Sequence, residues 1–319
     1  MIFQKCRRRR RDEYLFFSWI LWFEILNKPS SHDLSLILKL MGNLSFTCLR
    51  SGELSGQNIA EYLALFYEVF GFRKQENLFQ RQFLPENSPA GYHSLMLEDG
   101  KIQASYSAIP LTFIYQNQEV QAALVVDAIV HPRFQGQGYL VSILETLYQK
   151  MKGDGFHFLY GMPNARFYPI ITQKMGWKSI GQMHWSILFP GGPLPKFRNP
   201  FYCYRPQSSA YIAHRYSTSF ARKTKNGVYW LGKSPVPGLK VLLDWETRAP
   251  SISSSLLLEV RKNGPILFPF LGKSDSGILI PDFLKGHRTR VVAFSLSALG
   301  SELLEREAFW LTLGDFDVG

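Results

Sequence analysis

The sequence predicts a mixed α/β fold in which a mostly antiparallel central sheet is flanked by helices. Three extended apolar runs at residues 92–97, 102–115 and 120–130 follow one another across short polar turns, which is typical of an antiparallel meander. A strand, a loop, a helix and another strand then follow over residues 122–161. That order implies a parallel right-handed crossover, so we expect the sheet to be mixed.

The elements before the meander are predicted to be a strand and two helices. Residues 44–49 fit an opening strand. Ser55 then precedes apolar positions that recur at helical spacing from Ile59 to Phe70, which indicates an amphipathic helix. A second helix is predicted over residues 76–83.

The last run of the meander and the helix after it carry the clearest patterns. Residues 122–130 are almost continuously apolar, as expected of a central strand covered on both faces. Apolar residues then recur at helical spacing from Leu140 to Met151, so one stripe of this helix is expected to pack on the sheet. The next features are a helix end at 153–155, a strand at 156–161, a short helix with Ile170, Ile171 and Met175 directed inward, and a strand at 177–189.

A break rich in proline and glycine divides the chain. Residues 190–195 read Pro-Gly-Gly-Pro-Leu-Pro, which cannot sustain a helix or a strand. We therefore predict a first domain at 41–190, a linker at 191–207 and a second, smaller mixed α/β domain at 208–319. In the second domain we expect helices at 211–216 and 253–262, and strands at 228–231, 239–244, 266–271, 291–296 and 309–313.

Residues 1–40 are predicted to be an extension outside both domains. A run of arginines at 7–11 precedes an apolar stretch at 14–26. The stretch lacks a small-residue cleavage site and is too short to span a bilayer, so we expect no stable membrane insertion. Two interpretations stay open: the native protein starts at Met41, or the stretch is a short interfacial anchor.

The composition narrows the partners and the compartment. A formal net charge of +11 suits a polyanionic ligand such as a nucleotide, and no RNP, zinc-finger or helix-turn-helix pattern points to nucleic acid. Three scattered cysteines are too few for a disulfide framework or a zinc site, which favours a reducing, cytoplasmic location. Asp315 and Asp317 are interpreted as a solvated turn rather than a metal site.

The segment Arg133 to Gly138, Arg-Phe-Gln-Gly-Gln-Gly, carries the chemistry of the sequence. It joins a buried strand to a helix, so the unpaired N–H groups and the positive end of that helix face a possible ligand. Its two glycines allow a close backbone approach, and Arg133 adds charge, which together suit a pyrophosphate. A Walker A loop and a Rossmann fingerprint are excluded because their further residues are missing. A glycine-rich helix start without a ligand remains the alternative.

The spacing R-x-x-G-x-G after a strand that ends Val-His-Pro resembles the coenzyme A loop of the GNAT acetyltransferases. The resemblance covers about residues 44–189 and includes Tyr160-Gly161 and the segment Lys174-Met175-Gly176-Trp177 in the same order. Phrases in both halves resemble a bacterial subgroup of two-domain GNAT proteins, whose second half would be a degenerate GNAT-like unit. The resemblance therefore implies the GNAT fold for the first domain.

The resemblance also implies a cofactor site and an activity. Acetyl-CoA would be the acyl donor, with the backbone of Ile129 and Val130 against the pantetheine arm and Asn164 near the thiol. The pyrophosphate would be held by Gln135, Gly136, Gln137, Gly138 and Tyr139, and Arg133 and Phe134 of the same loop are also expected to bind the cofactor. The acceptor would be a primary amine of a small molecule or a peptide, which attacks the thioester directly. A GNAT-shaped module that binds coenzyme A or a partner without turnover is the alternative, and longer acyl or aminoacyl groups stay open.

Two catalytic residues are predicted. Alternation along the strand would place Asp127 on the same face as Val125 and Ile129, where desolvation would raise its pKa and suit a general base. Asp127 is otherwise a buried carboxylate bonded to a neighbouring loop, and His131 is an alternative base.

The general acid departs from the family pattern. Many GNAT enzymes place a tyrosine where this chain has Thr172, and Tyr168 lies one turn earlier. Tyr168 is therefore the predicted acid, and simple packing is its alternative role.

Overall fold

The computed structural model describes residues 43–85, 89–190, 203, 220–224, 227–233, 238–245, 254–271, 278–279, 290–306, 309 and 311–312. The predictions for residues 1–40, for the helix at 211–216, for most of the linker and for Asp315 and Asp317 lie outside the described residues. Within them, no helix is long and apolar enough to cross a bilayer. No group of three or more metal-ligating side chains is found there either.

The described residues contain helices and strands in a mixed order. The helices are α1 (Gly56–Phe70), α2 (Glu76–Phe83), α3 (Tyr139–Gly153), α4 (Tyr168–Lys174), α5 (Ser254–Arg261) and α6 (Ala298–Glu305). The strands of the first half are β1 (Leu44–Arg50), β2 (Tyr92–Glu98), β3 (Lys101–Tyr115), β4 (Gln118–Val130), β5 (Phe158–Gly161), β6 (Lys178–Gln182) and β7 (His184–Leu188). Those of the second half are β8 (Phe220–Thr224), β9 (Gly227–Lys233), β10 (Lys240–Trp245), β11 (Ile266–Leu271), β12 (Ile278–Leu279), β13 (Arg290–Ser295) and β14 (Leu311–Thr312).

The predicted fold class is confirmed. The first sheet has the order β1-β2-β3-β4-β5-β13-β6, in which β4 and β5 are parallel. The pairs β3/β4, β5/β13 and β13/β6 are antiparallel. Helix α2 has the bounds that the sequence predicts, whereas the strand predicted at 177–189 is two strands separated by the buried Met183.

The second sheet repeats the strand pattern of the first. Its order is β8-β9-β10-β11-β7-β12, with β14 also paired to β11. β9 and β10 are antiparallel, and β10 is parallel to β11, with helix α5 between these two strands in the chain. In the first sheet β3 and β4 are likewise antiparallel, and β4 is parallel to β5, with α3 between them in the chain. A register shift in β10 between Leu242 and Asp244 corresponds to one in β4.

Two strands lie in a sheet that is formed mainly by residues on the other side of the predicted domain boundary at 190/191. β13 comes from the second half of the chain but lies in the first sheet, between β5 and β6. β7 precedes the boundary but lies in the second sheet, between β11 and β12. The exact division into domains therefore stays a prediction, since each sheet contains a strand from the other half.

Helices cover both faces of the first sheet. The apolar stripe of α3 is confirmed, because Ile143, Leu144, Leu147 and Met151 are buried. Ser94 of β2 donates a hydrogen bond to the carbonyl of Ile143 (2.6 Å), so Ser94 faces α3. Its neighbour His93 faces the opposite side, since successive residues of a strand alternate.

Helix α1 begins at a side-chain cap and ends at a glycine. The hydroxyl of Ser55 accepts a hydrogen bond from the amide of Asn58 (3.1 Å), and the side chain of Asn58 accepts one from the amide of Ser55 (3.1 Å). Gly71 ends the helix in the left-handed conformation (φ 77°). These local signals explain why the sequence predicts this helix correctly.

An extra residue in β4 interrupts its pairing with β3. Ser105 lies opposite Ile129 and Ser107 lies opposite Val126, so two residue steps in β3 correspond to three in β4. This is a β-bulge, which bends a strand and changes the direction of its side chains. Asp127 lies in the bulge with a φ of 50°, a conformation that is uncommon outside glycine.

The bulge contradicts one sequence-based expectation about Asp127. Val125 lies opposite Ala108, whereas Ile129 lies opposite Ser105, and Ala108 and Ser105 point to opposite faces of β3. Opposed residues share a face, so Val125 and Ile129 cannot lie on the same one. The prediction that Asp127 shares a face with both residues is therefore wrong, because simple alternation does not continue through a bulge.

Candidate active site

The site lies where β4 and β5 cease to pair. The parallel pairing covers Leu124 and Tyr160 and stops there. The next residue of β5 is Gly161, and a Cβ atom added to it would lie 2.7 Å from Cγ2 of Val125 and 3.3 Å from its carbonyl oxygen. Glycine is therefore required at this position, because the two strands approach too closely for a side chain before they diverge.

A cavity of about 550 Å³ opens beyond this point. The walls come from β4, the glycine loop, the segment after β5, helix α4 and the end of α1. They comprise residues 125–128 and 130, 134–136 and 138–140, 161–164, 166–167, 170–171, Val69 and Phe70, together with Tyr106 and Val292. The loop before α3 and the open end of the two strands thus border one space.

The glycine loop has the backbone that the sequence predicts. Gly136 has a φ of 80° and Gly138 a φ of 86°, and Gly138 is the N-cap of α3. A Cβ atom at either glycine would meet nothing within 4 Å, so the backbone conformation, and not space, requires glycine here. The amide of Val141 donates to the carbonyl of Gly138 (3.0 Å), and the two amides before it lie at the start of α3, where a helix end lacks helical acceptors and suits an anion.

Two glutamine side chains close this loop on itself. Nε2 of Gln135 donates to the carbonyl of Val130 (2.9 Å), and Nε2 of Gln137 donates to the carbonyl of Arg133 (2.6 Å). The guanidinium of Arg133 lies 4.5 Å from the ring centre of Phe134. The loop therefore has a fixed conformation supported by its own side chains.

The structure brings most of the predicted cofactor residues to the cavity. Those that line it are Val130, Phe134, Gln135, Gly136, Gly138, Tyr139 and Asn164. Those that are not part of its wall are Ile129, which is fully buried, Arg133 and Gln137. The loop and its neighbours therefore border the cavity, and the cofactor-binding roles of all ten residues stay predictions.

Asn164 anchors the turn into α4. Its Oδ1 accepts hydrogen bonds from the amides of Arg166 (3.0 Å) and Phe167 (2.9 Å). The carboxamide nitrogen of Asn164 has no hydrogen-bond partner among the described residues. One end of this side chain is thus structural, and the other is available to a ligand in the cavity.

The carboxylate of Asp127 is held by two donors from the helical side of the sheet. Oδ2 of Asp127 accepts a hydrogen bond from the hydroxyl of Tyr62 (2.7 Å) and forms an ion pair with the ammonium of Lys74. The side chain of Lys74 is 5% exposed and that of Asp127 is 16% exposed. The ammonium also lies 5.2 Å from the ring centre of Phe66 and 5.0 Å from that of Phe83, so it is enclosed by aromatic rings.

A buried histidine lies behind this ion pair. His93 forms hydrogen bonds with the hydroxyls of Ser51 and Ser107, each at 2.9 Å. Its ring packs against those of Phe79 and Phe83, with centroid distances of 5.4 Å and 4.6 Å. Burial, and secondarily the ammonium of Lys74, lower the pKa of His93 to about 3. His93 is therefore neutral and supports the cavity wall from behind.

Residues 53–180 match the family model of the acetyltransferase (GNAT) domain. The same span contains the glycine loop, the diverging strands and every residue of the cavity wall except Val292. The chain therefore has a GNAT domain. No curated protein is significantly similar in sequence to the chain.

Solved structures share the fold of the chain at low sequence identity. A probable N-acyltransferase from Enterococcus faecalis is 11% identical to this chain, with a TM-score of 0.56, and the match covers 81% of this chain and 74% of the other. A GCN5-related N-acetyltransferase from Kribbella flavida is 10% identical, with 81% and 73% covered and a TM-score of 0.56. Eis1 from Mycobacterium abscessus is 12% identical, with 79% and 73% covered and a TM-score of 0.52. Each match extends well beyond the GNAT domain.

His131 of the GNAT domain is engaged at both ring nitrogens. Nδ1 accepts a hydrogen bond from the amide of Arg133 (3.2 Å), and Nε2 lies 2.9 Å from Oε1 of Glu68. With Nδ1 as an acceptor, Nε2 carries the proton and donates to Glu68. His131 is thus bonded as a cap of the glycine loop, so neither nitrogen can accept a proton without a change of partners.

Tyr168 of the GNAT domain is not part of the cavity wall. It is the first residue of α4, and the guanidinium of Arg290 lies 4.4 Å from its ring centre. The hydroxyl of Thr172 donates a hydrogen bond to the backbone carbonyl of Tyr168 (2.8 Å), so the Thr172 hydroxyl is bonded within helix α4. In the same helix Ile171 is buried as predicted, but Ile170 is 38% exposed and lines the cavity, so its predicted inward direction is wrong.

Tyr106 and Lys74 are site residues that the sequence does not reveal. Tyr106 lines the cavity from β3, and burial raises its pKa well above the usual range, so its hydroxyl stays protonated. Its position on a long apolar strand gives no signal that distinguishes it from core. Lys74 is 53 residues from Asp127 in the chain, and no local pattern links the two.

Proposed function

We propose that this chain transfers an acetyl group from acetyl-CoA to a primary amine by direct attack on the thioester. The observation that carries the proposal is that one cavity is bordered both by the glycine loop before α3 and by the open end of β4 and β5. The glycine loop, whose amides suit an anion, and the carboxylate residue Asp127 both belong to its wall. The GNAT domain match over residues 53–180 supports acyl transfer as the reaction class.

The residues of the loop fit the diphosphate of coenzyme A. Gly136 and Gly138 hold the backbone open, and the N-terminus of α3 supplies N–H donors and a positive dipole end. The cavity beyond the loop has walls from Val125 to Ala128 and from Gly161 to Asn164, as required for a slender arm between two diverging strands. The size of the cavity is within the range of small-molecule sites.

The reaction that we propose moves one acyl group and one proton. The amine nitrogen bonds to the thioester carbonyl carbon, the C–S bond breaks, and the proton lost by the amine balances the one gained by the thiolate. Oδ1 of Asp127 has no hydrogen-bond partner among the described residues, so it is the position that we propose for accepting the amine proton. Oδ2 stays bonded to Tyr62 and Lys74, which fixes the direction of the carboxylate.

We further propose Tyr106 as the residue that stabilises the departing sulfur, with Tyr168 as the alternative that the sequence predicts. Tyr106 lines the cavity and keeps its proton, so it can donate a hydrogen bond to a developing thiolate. Tyr168 lies outside the wall and its ring is covered by Arg290.

The test is a paired measurement of binding and turnover. Acetyl-CoA is expected to raise the melting temperature, and a panel of primary amines is expected to release free thiol. Gly136→Glu is expected to abolish the stabilisation by acetyl-CoA, because it places a carboxylate and a strained backbone in the loop. Gly52→Glu is the matched control, since that exposed glycine also has open space around it but lies outside the cavity.

Each outcome of this experiment separates two functions. Stabilisation with thiol release supports the transferase. Stabilisation without thiol release from any amine supports a module that binds coenzyme A without turnover. No stabilisation by acetyl-CoA, or an unchanged response in Gly136→Glu, would overturn the cofactor site itself.

A further inference from the structure

We infer that the acceptor of this enzyme is an amine on an apolar carrier, aliphatic or aromatic, and that Phe70 and Ile170 select it. The inference rests on the proposed function, since it names the class of the second substrate. Three features of the described residues lead to it: the walls of the cavity, the charge presented there, and the aromatic cluster beside it.

The walls that come from elements other than the glycine loop are largely apolar. Val69 and Phe70 come from the end of α1, Val126 comes from β4, and Phe167 and Ile170 come from the start of α4. Phe70 is 42% exposed and Ile170 is 38% exposed, although both belong to large apolar residue types. Apolar side chains that border a cavity and stay open to solvent mark a place where an apolar group of a ligand is removed from water.

The charge of this part of the cavity does not suit a polycation. Among the described residues that line it, Asp127 is the one acidic side chain and Arg166 is the one basic side chain. Lys74 neutralises Asp127 from behind through a buried ion pair. A second ammonium group on the acceptor would therefore meet no uncompensated carboxylate, and it would lose its hydration against apolar walls.

An aromatic cluster continues from the cavity wall. Phe66, Phe70 and Phe72 pack together, with centroid distances of 4.7 Å for Phe66 and Phe70, 5.2 Å for Phe66 and Phe72, and 6.2 Å for Phe70 and Phe72. Phe72 is 61% exposed. Phe66 also covers the ammonium of Lys74, so the surface that would contact the carrier and the residue that masks Asp127 belong to one packed unit.

The experiment compares two amines that differ at one end. Hexylamine and 1,5-diaminopentane have the same number of heavy atoms, and the second replaces the terminal methyl group with an ammonium. Their dissociation constants are measured by calorimetry with the full chain, with and without saturating coenzyme A, so turnover is not required. We expect hexylamine to bind at least about tenfold more tightly, because the diamine must desolvate a charge against apolar walls.

Variants test which residues make the selection. Phe70→Ala and Ile170→Ala are each expected to weaken hexylamine binding by about three- to tenfold through lost apolar contact, with little change for the diamine or for coenzyme A. Both side chains are partly exposed, so the variants are expected to fold. Leu258→Ala is the matched control, because Leu258 is 49% exposed on α5 and does not line the cavity.

Several results would overturn the inference. One is equal or tighter binding of the diamine, and another is the absence of binding by either amine in both states. A third is a Phe70→Ala variant that loses affinity for hexanoyl-CoA and keeps its affinity for hexylamine, since the apolar walls would then hold a longer acyl chain. Failure of coenzyme A to bind would instead refute the proposed function, while the amine comparison without coenzyme A would still test the acceptor site.

Discussion

Lys74 and Asp127 form a buried ion pair across 53 residues of sequence, between the segment after α1 and the bulge of β4. The pair fixes a carboxylate in the cavity wall and at the same time neutralises it. A charge that is buried without its partner is costly, so the two residues depend on each other. The bulge, the cavity wall and the aromatic cluster around Phe66 are thereby linked.

Lys74→Met is predicted to destabilise the fold by on the order of 3 kcal/mol, because Asp127 would keep a buried charge without its cation. Asp127→Asn is expected to cost a similar amount, since it leaves the ammonium of Lys74 buried without its anion, although the amide retains a hydrogen bond with Tyr62. Urea unfolding of the two single variants and of the double variant measures the coupling between the residues. Additive effects in this cycle would mean that the ion pair contributes no interaction energy.

Gly161→Ala is predicted to destabilise the protein by about 1–3 kcal/mol, because the new methyl group would overlap Cγ2 of Val125. The double variant Gly161→Ala with Val125→Ala is expected to recover part of that loss, since the contact with the Val125 carbonyl remains. Gly153→Ala is the control at an open helical position, where alanine is expected to stabilise the protein by roughly 0.5 kcal/mol. Chemical denaturation of the set tests the close approach of β4 and β5.

The glycine loop and its flanking elements are predictable from sequence because their signals are local. The apolar strand, the two glycines and the helical stripe from Leu140 to Met151 follow one another within about thirty residues, and each has a physical reason that needs no distant partner. The structure places this loop at the cavity, in agreement with that reasoning. The conformation of the loop and its flanking elements is therefore the part of the site that can be predicted from sequence, while the ligand of the loop stays a prediction.

The remaining features depend on contacts between distant segments. The bulge at Asp127 follows from the pairing of β4 with β3, and periodicity along β4 alone cannot place an unpaired residue. The entry of β13 into the first sheet depends on competition between strands of both halves. The sequence alone leaves both a desolvated base and a carboxylate bonded to a neighbouring loop open for Asp127, and no local pattern identifies Lys74 as its partner.

Acid is predicted to weaken the fold through His93. Its pKa is about 3 in the folded protein and about 6.5 in the unfolded chain, so the unfolded state binds more protons between these values. The contribution of the neutral His93 ring to the free energy of unfolding is then complete above pH 6.5 and is lost as the pH falls toward 3. We expect His93 to account for a loss of about 2 kcal/mol between pH 7.5 and pH 5.

His93→Gln tests this assignment because glutamine retains hydrogen-bonding groups but does not titrate. Unfolding free energies of the variant should change less between pH 7.5 and pH 5 than those of the unmodified protein. Equal pH dependence in the two proteins would assign the effect to other groups.

A second acid-sensitive group is predicted at Asp154. It accepts hydrogen bonds from Tyr92 (2.6 Å) and Arg50 (3.0 Å), and Lys150 lies 3.2 Å away. The bond from Tyr92 is the main cause that lowers the pKa of Asp154 to about 2. This contribution is present above the ordinary carboxyl pKa near 4 and is lost as the pH falls through 2. Asp154→Asn should therefore reduce the pH dependence of the free energy of unfolding below pH 4. It should have no comparable effect on the pH dependence between pH 7.5 and pH 5.

Catalysis is predicted to depend on Tyr106 more than on Tyr168. Removal of the Tyr106 hydroxyl would deprive the departing sulfur of a donor that lines the cavity, so Tyr106→Phe is expected to lower the rate of thiol release by about a hundredfold. Tyr168→Phe is expected to leave that rate almost unchanged, because its ring lies under Arg290 outside the wall. Unchanged stabilisation of both variants by acetyl-CoA would show that binding is intact, and the reverse order of the two rates would restore Tyr168 as the acid.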